Sequence, residues 1–130
     1  MIDHIGLRVA DLGAARRFYT AALAPLGLSQ QMEITEAQTG GHGAHVAFGT
    51  TGKPFFWIGT GGPASGGTHV AFAAPDAEAV RAFYAAALAA GGTDNGAPGL
   101  RPQYHAGYFG AFVLDPDGNN VEAVIHDAAG

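Results

Sequence analysis

Three residues carry the ligand chemistry of this sequence: His4, His69 and Glu122. Two neutral imidazoles and one carboxylate form the facial set that holds a divalent cation and leaves coordination positions open. The 130 residues include no cysteine, so thiolate ligands, disulfides and a cysteine nucleophile are excluded. A metal site must therefore use His, Asp or Glu. Glu122 lies in "DPDGNNVEAV", a lone charge among apolar neighbours after a turn. A carboxylate buried there needs a cation or takes up a proton, because burial disfavours its charged form.

Whether the three side chains meet depends on the strands that carry them. "HIGLRVADLGAARRFYTAALAPLG" from His4 and "HVAFAAPDAEAVRAFYAAALAAGG" from His69 correspond without a gap, displaced by 65 residues, half the chain. The repeat matches Asp11 to Asp76, Arg16 to Arg81, Phe18-Tyr19 to Phe83-Tyr84 and Gly27 to Gly92. A unit this long, present twice, reads as a duplicated module rather than a solenoid. In each copy a period-two strand opens the unit, Asp11 or Asp76 fits a helix N-cap, and apolar residues such as Val80, Phe83, Tyr84, Ala87 and Leu88 recur at helical spacing. Three shorter strands follow: about 29–35, 44–49 and 54–58 in the first copy, and about 93–97, 108–115 and 120–126 in the second. Module 1 spans about 1–62 and module 2 about 66–130, joined by the Gly-rich stretch 59–67.

Alternation sets the faces. Ile5, Leu7 and Val9 should lie under the helix, with His4, Gly6 and Arg8 opposite, and "HVAFA" repeats the pattern. If Val121, Ala123 and Ile125 pack inward, Glu122 joins both histidines on the open face. Small neighbours on that face leave room for a cavity.

Composition narrows the partners. A 48% hydrophobic content supports one ordinary domain, while 13% charged residues and 21 Gly do not match a disordered chain. The net charge of -5, with six Lys and Arg residues scattered, offers no basic stripe for nucleic acid. No apolar run reaches membrane-spanning length, and "MIDHIGLRVADL" is not a secretory signal, so a cytoplasmic protein is the expectation.

The two repeats, together with "YHAGYFGAFVLDPDGNNVEAV", resemble the vicinal oxygen chelate superfamily of glyoxalases, bleomycin-resistance proteins and extradiol dioxygenases. The resemblance covers nearly the whole chain. It implies an α+β fold of two tandem βαβββ modules forming a cupped eight-stranded mixed sheet, with helices on the outer face. It also implies His4, His69 and Glu122 as metal ligands. Glyoxalase-type members have a fourth ligand where the repeat offset places Trp57, or Phe56 if the turn glycines are aligned. Neither can ligate. Three ligands resemble the extradiol arrangement more than glyoxalase I, with Fe(II), Mn(II), Zn(II) or Ni(II) all compatible.

By the same resemblance, His105 is a candidate acid/base and Tyr108 a candidate hydrogen-bond donor, although both side chains also suit a cavity rim. Tyr104, Arg8 and Trp57 are candidate substrate contacts: Arg8 receives an anionic group or pairs with a carboxylate, and Trp57 stacks on substrate or plugs the cup. His42, His45 and His126 have no counterpart in the repeat and read as surface or loop residues. Nothing in the register favours Glu33 or Glu36. The implied function is a metal-dependent dioxygenase or a glyoxalase-like lyase or isomerase, acting as a homodimer on a small molecule with vicinal oxygens. Two alternatives are a metal-free cup that sequesters a small molecule, as in bleomycin resistance, and a structural module whose cup is filled by Phe55, Phe56 and Trp57. Histidines kept only for packing are compatible with the repeat, but Glu122 is harder to explain that way.

Overall fold

The alternation after His4 becomes strand β1 (Ile5–Arg8), with Leu7 buried and Gly6 and Arg8 exposed. The computed structural model describes residues 1–64 and 66–128. Its remaining elements are α1 (Leu12–Leu23), β2 (Ser29–Ile34), β3 (His45–Thr50), β4 (Lys53–Gly59), β5 (His69–Ala73), α2 (Ala77–Ala89), β6 (Thr93–Leu100), β7 (Phe109–Leu114) and β8 (Asn120–Ile125), with a 3₁₀ turn at Ala24–Leu26. Both helices start where a carboxylate can satisfy a free backbone donor. Asp11 Oδ1 accepts from the Ala14 amide at 3.1 Å and Asp76 Oδ1 from Ala79 at 2.8 Å; such caps contribute about 1 kcal/mol each.

The strands form two four-stranded mixed sheets of identical design, ordered β1-β4-β3-β2 and β5-β8-β7-β6. In each, the module's first strand runs parallel to its last and the other pairs are antiparallel. This is βαβββ written twice, as the repeat predicts. Strand β8 is central, flanked by β5 and β7, so its residues are covered from both sides; Glu122 stands between Ala71 and Phe112 in register.

The modules share one core. Helix α1 buries Ala15, Phe18, Tyr19, Ala22 and Leu23, helix α2 buries Ala79, Val80, Phe83 and Ala87, and the two helices contact each other. Phe56 of β4 meets Phe72 of β5 edge-on at 5.1 Å, and Tyr19 meets Phe56 at 5.0 Å. A Cβ at Gly92 would come within 2.4 Å of Val113 Cγ1 and 2.7 Å of Phe18 Cε1, so only glycine lets the first module's Phe18 reach β7. The turn "DPDGNN" adds a polar link. The buried Asp115 carboxylate accepts from the Tyr19 hydroxyl at 2.5 Å, the Asn119 side chain at 3.0 Å, and the Asp117 and Asn119 amides at 2.9 Å each. Four donors satisfy a charge that would otherwise be costly to bury.

Candidate metal and substrate site

Glu122 is 1% exposed, the most buried carboxylate among the described residues. Two side chains meet it. The Tyr108 hydroxyl donates to Oε2 through a short contact, and His69 Nε2 lies 3.0 Å from Oε1. Gly110, in register with Val124 and beside Glu122, makes the contact sterically possible: a Cβ there would stand 3.2 Å from Glu122 Oε2 and 3.3 Å from Tyr108 Cε1. Loss of solvent around the phenol, then the hydrogen bond and charge of Glu122, push the Tyr108 pKa up to about 12. At neutral pH Tyr108 therefore keeps its proton and acts as a donor.

The His69 ring is held in one orientation. Its Nδ1 lies 3.0 Å from the Asn120 carbonyl oxygen, which can only accept, so Nδ1 carries the hydrogen. Phe112 stacks beside the ring at 6.2 Å and 27°. Nε2 then faces a carboxylate oxygen, and that contact requires a proton between them, carried by the imidazole or by the carboxyl, or a cation between nitrogen and oxygen. A backbone carbonyl fixing the far nitrogen of a histidine is the usual support for a metal-ligating imidazole.

These groups line a concavity of about 430 Å³ with Tyr104, Phe112 and Asn120. His4 is elsewhere. It lies with Gly6, Leu7, Arg8, His45, Trp57 and Gly59 around a second concavity, of about 310 Å³, on the first module. His4 Nδ1 is 2.8 Å from Asp3 Oδ1, and Lys53 Nζ donates to Asp3 Oδ2 at 2.8 Å. The hydrogen bond from Lys53, reinforced by that from His4, pulls Asp3 down to about 2. Among the described residues no three His, Asp or Glu side chains are grouped closely enough to hold a metal. Within one chain, then, the expected ligand set is divided, His4 on the first module and His69 with Glu122 on the second.

The other candidates divide the same way. Arg8 and Trp57 share the His4 concavity, where the Arg8 Nη1 donates to the Thr60 carbonyl at 2.9 Å. His45, which the sequence places on a surface or loop, lines this concavity from β3; Gly59 opposite leaves room for its ring. His105 lies outside the Glu122 concavity. Its Nδ1 faces the Ala106 carbonyl at 2.7 Å, and its Nε2 is 2.9 Å from Nδ1 of His126, with the rings stacked at 5.2 Å. Tyr108 packs edge-on against both imidazoles. His126 is exposed, as expected, yet it partners His105. Glu33 pairs with Arg16 at 3.2 Å, which accounts for it without a metal.

A family model described as the Glyoxalase/Bleomycin resistance protein/Dioxygenase superfamily matches residues 1–123. The chain belongs to this superfamily. Among solved structures, a glyoxalase/bleomycin resistance protein from Albidiferax ferrireducens T118 is 30% identical, with 95% of this chain and 97% of that one covered and a TM-score of 0.77. Glyoxalase I from Zea mays is 21% identical with a TM-score of 0.69, over 98% of this chain but 45% of that one. A glyoxalase/bleomycin resistance protein/dioxygenase family enzyme from Burkholderia phytofirmans PsJN is 22% identical, with 94% and 95% covered and a TM-score of 0.65. The last two likenesses concern the fold. No curated protein matches the sequence. No helix of this superfamily member is long and apolar enough to cross a membrane among the described residues. Two site residues escaped the sequence reading, Arg101 and Asn120. Asn120 lines the Glu122 concavity and Arg101 the hollow next to it, both from positions the repeat does not mark.

Proposed function

We propose that the protein is a metal-dependent enzyme acting on a small molecule with vicinal oxygens, working as a homodimer in which His4 of one copy joins His69 and Glu122 of another. The observation that carries this reading is the buried Glu122 carboxylate facing His69 Nε2 at 3.0 Å while the far nitrogen is committed to a carbonyl. The donor set fits Fe(II), Mn(II), Zn(II) or Ni(II). Such an ion would supply Lewis acidity toward the substrate oxygens. The chain's own groups do the rest. Tyr108 holds a proton at its hydroxyl beside Glu122, and His105, paired with His126 outside the concavity and packed on the Tyr108 ring, is the acid/base. Tyr104 contacts substrate from the Glu122 side, while Arg8 and Trp57 of the second copy contact it from the His4 side.

The same His69–Glu122 contact favours a second reading. If the imidazole is doubly protonated, the carboxylate is satisfied without metal, and the cup serves to bind and sequester a small molecule.

Metal content of mixed dimers separates the two. His4→Ala and Glu122→Gln should each lose most bound Zn(II) or Mn(II). Co-expressed, they should regain part of it, because each mixed dimer rebuilds one of its two sites. If both single variants keep full occupancy, the metal reading fails; if they lose metal and mixing restores none, the shared site fails.

A further inference from the structure

The Glu122 concavity continues into a side hollow of about 270 Å³ lined by Asn95, Gly96, Arg101, Tyr104, Phe112 and Asn120. Tyr104, Phe112 and Asn120 line both spaces, so one ligand can occupy them together. Arg101 is half-buried there, and its guanidinium is held in place. Nη1 donates to the Gly99 carbonyl at 2.8 Å, Nη2 donates to the Ala97 carbonyl at 2.7 Å, and the charge lies 5.4 Å from the centre of the Phe112 ring. Gly96 and Gly99 clear the space it fills, since a Cβ at either would come within 3.2 Å of a guanidinium nitrogen.

Two features of this hollow are incomplete within the chain. Arg16, Arg81 and Lys53 each face a carboxylate, but Arg101 makes no salt bridge among the described residues. Two carbonyls use two of its five N–H donors and neutralise no charge. Asn120 Oδ1 is a buried acceptor with no hydrogen-bond partner. Native structures rarely leave a buried acceptor empty, and a ligand donor is one way to fill it.

We infer that Arg101 and Asn120 form a subsite that binds the oxyanion end of the substrate, a carboxylate or phosphate, and accepts a hydrogen bond from a neighbouring hydroxyl or N–H. This rests on the proposed function of the Glu122 concavity and narrows its substrate to molecules carrying vicinal oxygens at one end and an anionic group at the other. A guanidinium fixed before binding suits such recognition, because its planar fork loses little freedom on pairing.

The test is calorimetric titration of the Zn(II)-supplemented protein with 3,4-dihydroxybenzoate and 3,4-dihydroxybenzamide, which share vicinal oxygens and differ in charge at the far end. A hydrogen-bonded ion pair at Arg101 should make the acid bind about tenfold or more tightly than the amide. Arg101→Gln should bring that ratio close to one, and Arg101→Lys should recover part of it. Equal binding of acid and amide by the wild type, binding of neither, or an undiminished ratio in Arg101→Gln would overturn the subsite. The wild-type comparison decides even if a variant fails to fold. Glu122→Gln should weaken both probes alike and leave the ratio intact; if it weakened neither, the metal reading would fall while the acid-to-amide ratio still judged Arg101. Competition by benzoate against phenyl phosphate then tells carboxylate from phosphate, and displacement of the acid by neither would also overturn the proposal.

Discussion

Glu122 and Asp115 are seven residues apart and both buried, yet they serve different ends because their partners differ. Asp115 receives four donors from the fold and is saturated. Glu122 receives Tyr108 and an imidazole whose second nitrogen is already committed. The saturated carboxylate anchors, and the other keeps acceptor capacity that the fold does not fill. A pH dependence follows from the anchor. Burial first, then the charge of and hydrogen bond to Asp115, raise the Tyr19 pKa far above the ordinary tyrosine value of about 10. A folded-state pKa raised in this way stabilises the fold fully below about pH 10, and the contribution is lost as pH rises beyond that. Phenolate absorbance should therefore show Tyr19 ionising only as the protein unfolds. Tyr19→Phe should cost about 1.5–3 kcal/mol in denaturant melts at neutral pH and flatten the alkaline loss of stability. An equally steep loss in the variant would assign it to other groups.

Among the elements, the helices decide how the halves hold together. The period-3.6 pattern and the acidic N-caps make α1 and α2 readable from the sequence, but not that Phe18 of α1 reaches across to Val113 of β7. Gly92 marks that crossing. The repeat explains it only as a helix-terminating glycine matched to Gly27, and Gly27 has open space where its Cβ would be. Gly92→Ala should therefore destabilise by about 1–3 kcal/mol or more through overpacking, whereas a substitution with a purely conformational cost would leave the Phe18 packing intact. Comparison of Gly92→Ala with the double variant Gly92→Ala/Phe18→Leu is the check. Partial relief in the double variant is expected, and additive losses would place the strain elsewhere.

At the scale of the whole molecule, the two modules share the Phe56–Phe72 and Tyr19–Asp115 contacts and one buried cluster. Residues 1–65 alone would leave the inner faces of α1 and β4 without cover, so this fragment should not melt cooperatively as a stable monomer. Circular dichroism of the fragment checks this, and a sharp, reversible transition would show that the modules are independent. The same packing keeps the concavities apart. Each sheet retains its own open face, and the ligand set expected from the repeat is divided between them, which is why a second copy enters the proposed function.

The amino-acid sequence by itself determined the duplicated βαβββ plan, the strand faces and the apolar set beneath each helix, because these depend on periodicities of 2 and 3.6 and on local capping. It also singled out Glu122, since a charge in an apolar alternation is locally anomalous. Only the tertiary structure decided which residues meet that charge. Tyr108 comes from the position just before the neighbouring strand β7, His69 from the parallel strand on its other side, and His4 stays with the first sheet. Arg101 and Asn120 were invisible for the same reason. An arginine and an asparagine at strand ends look solvated in sequence, and nothing local reveals that β6, β7 and β8 enclose them in one hollow where a guanidinium lacks a carboxylate and an amide oxygen lacks a donor.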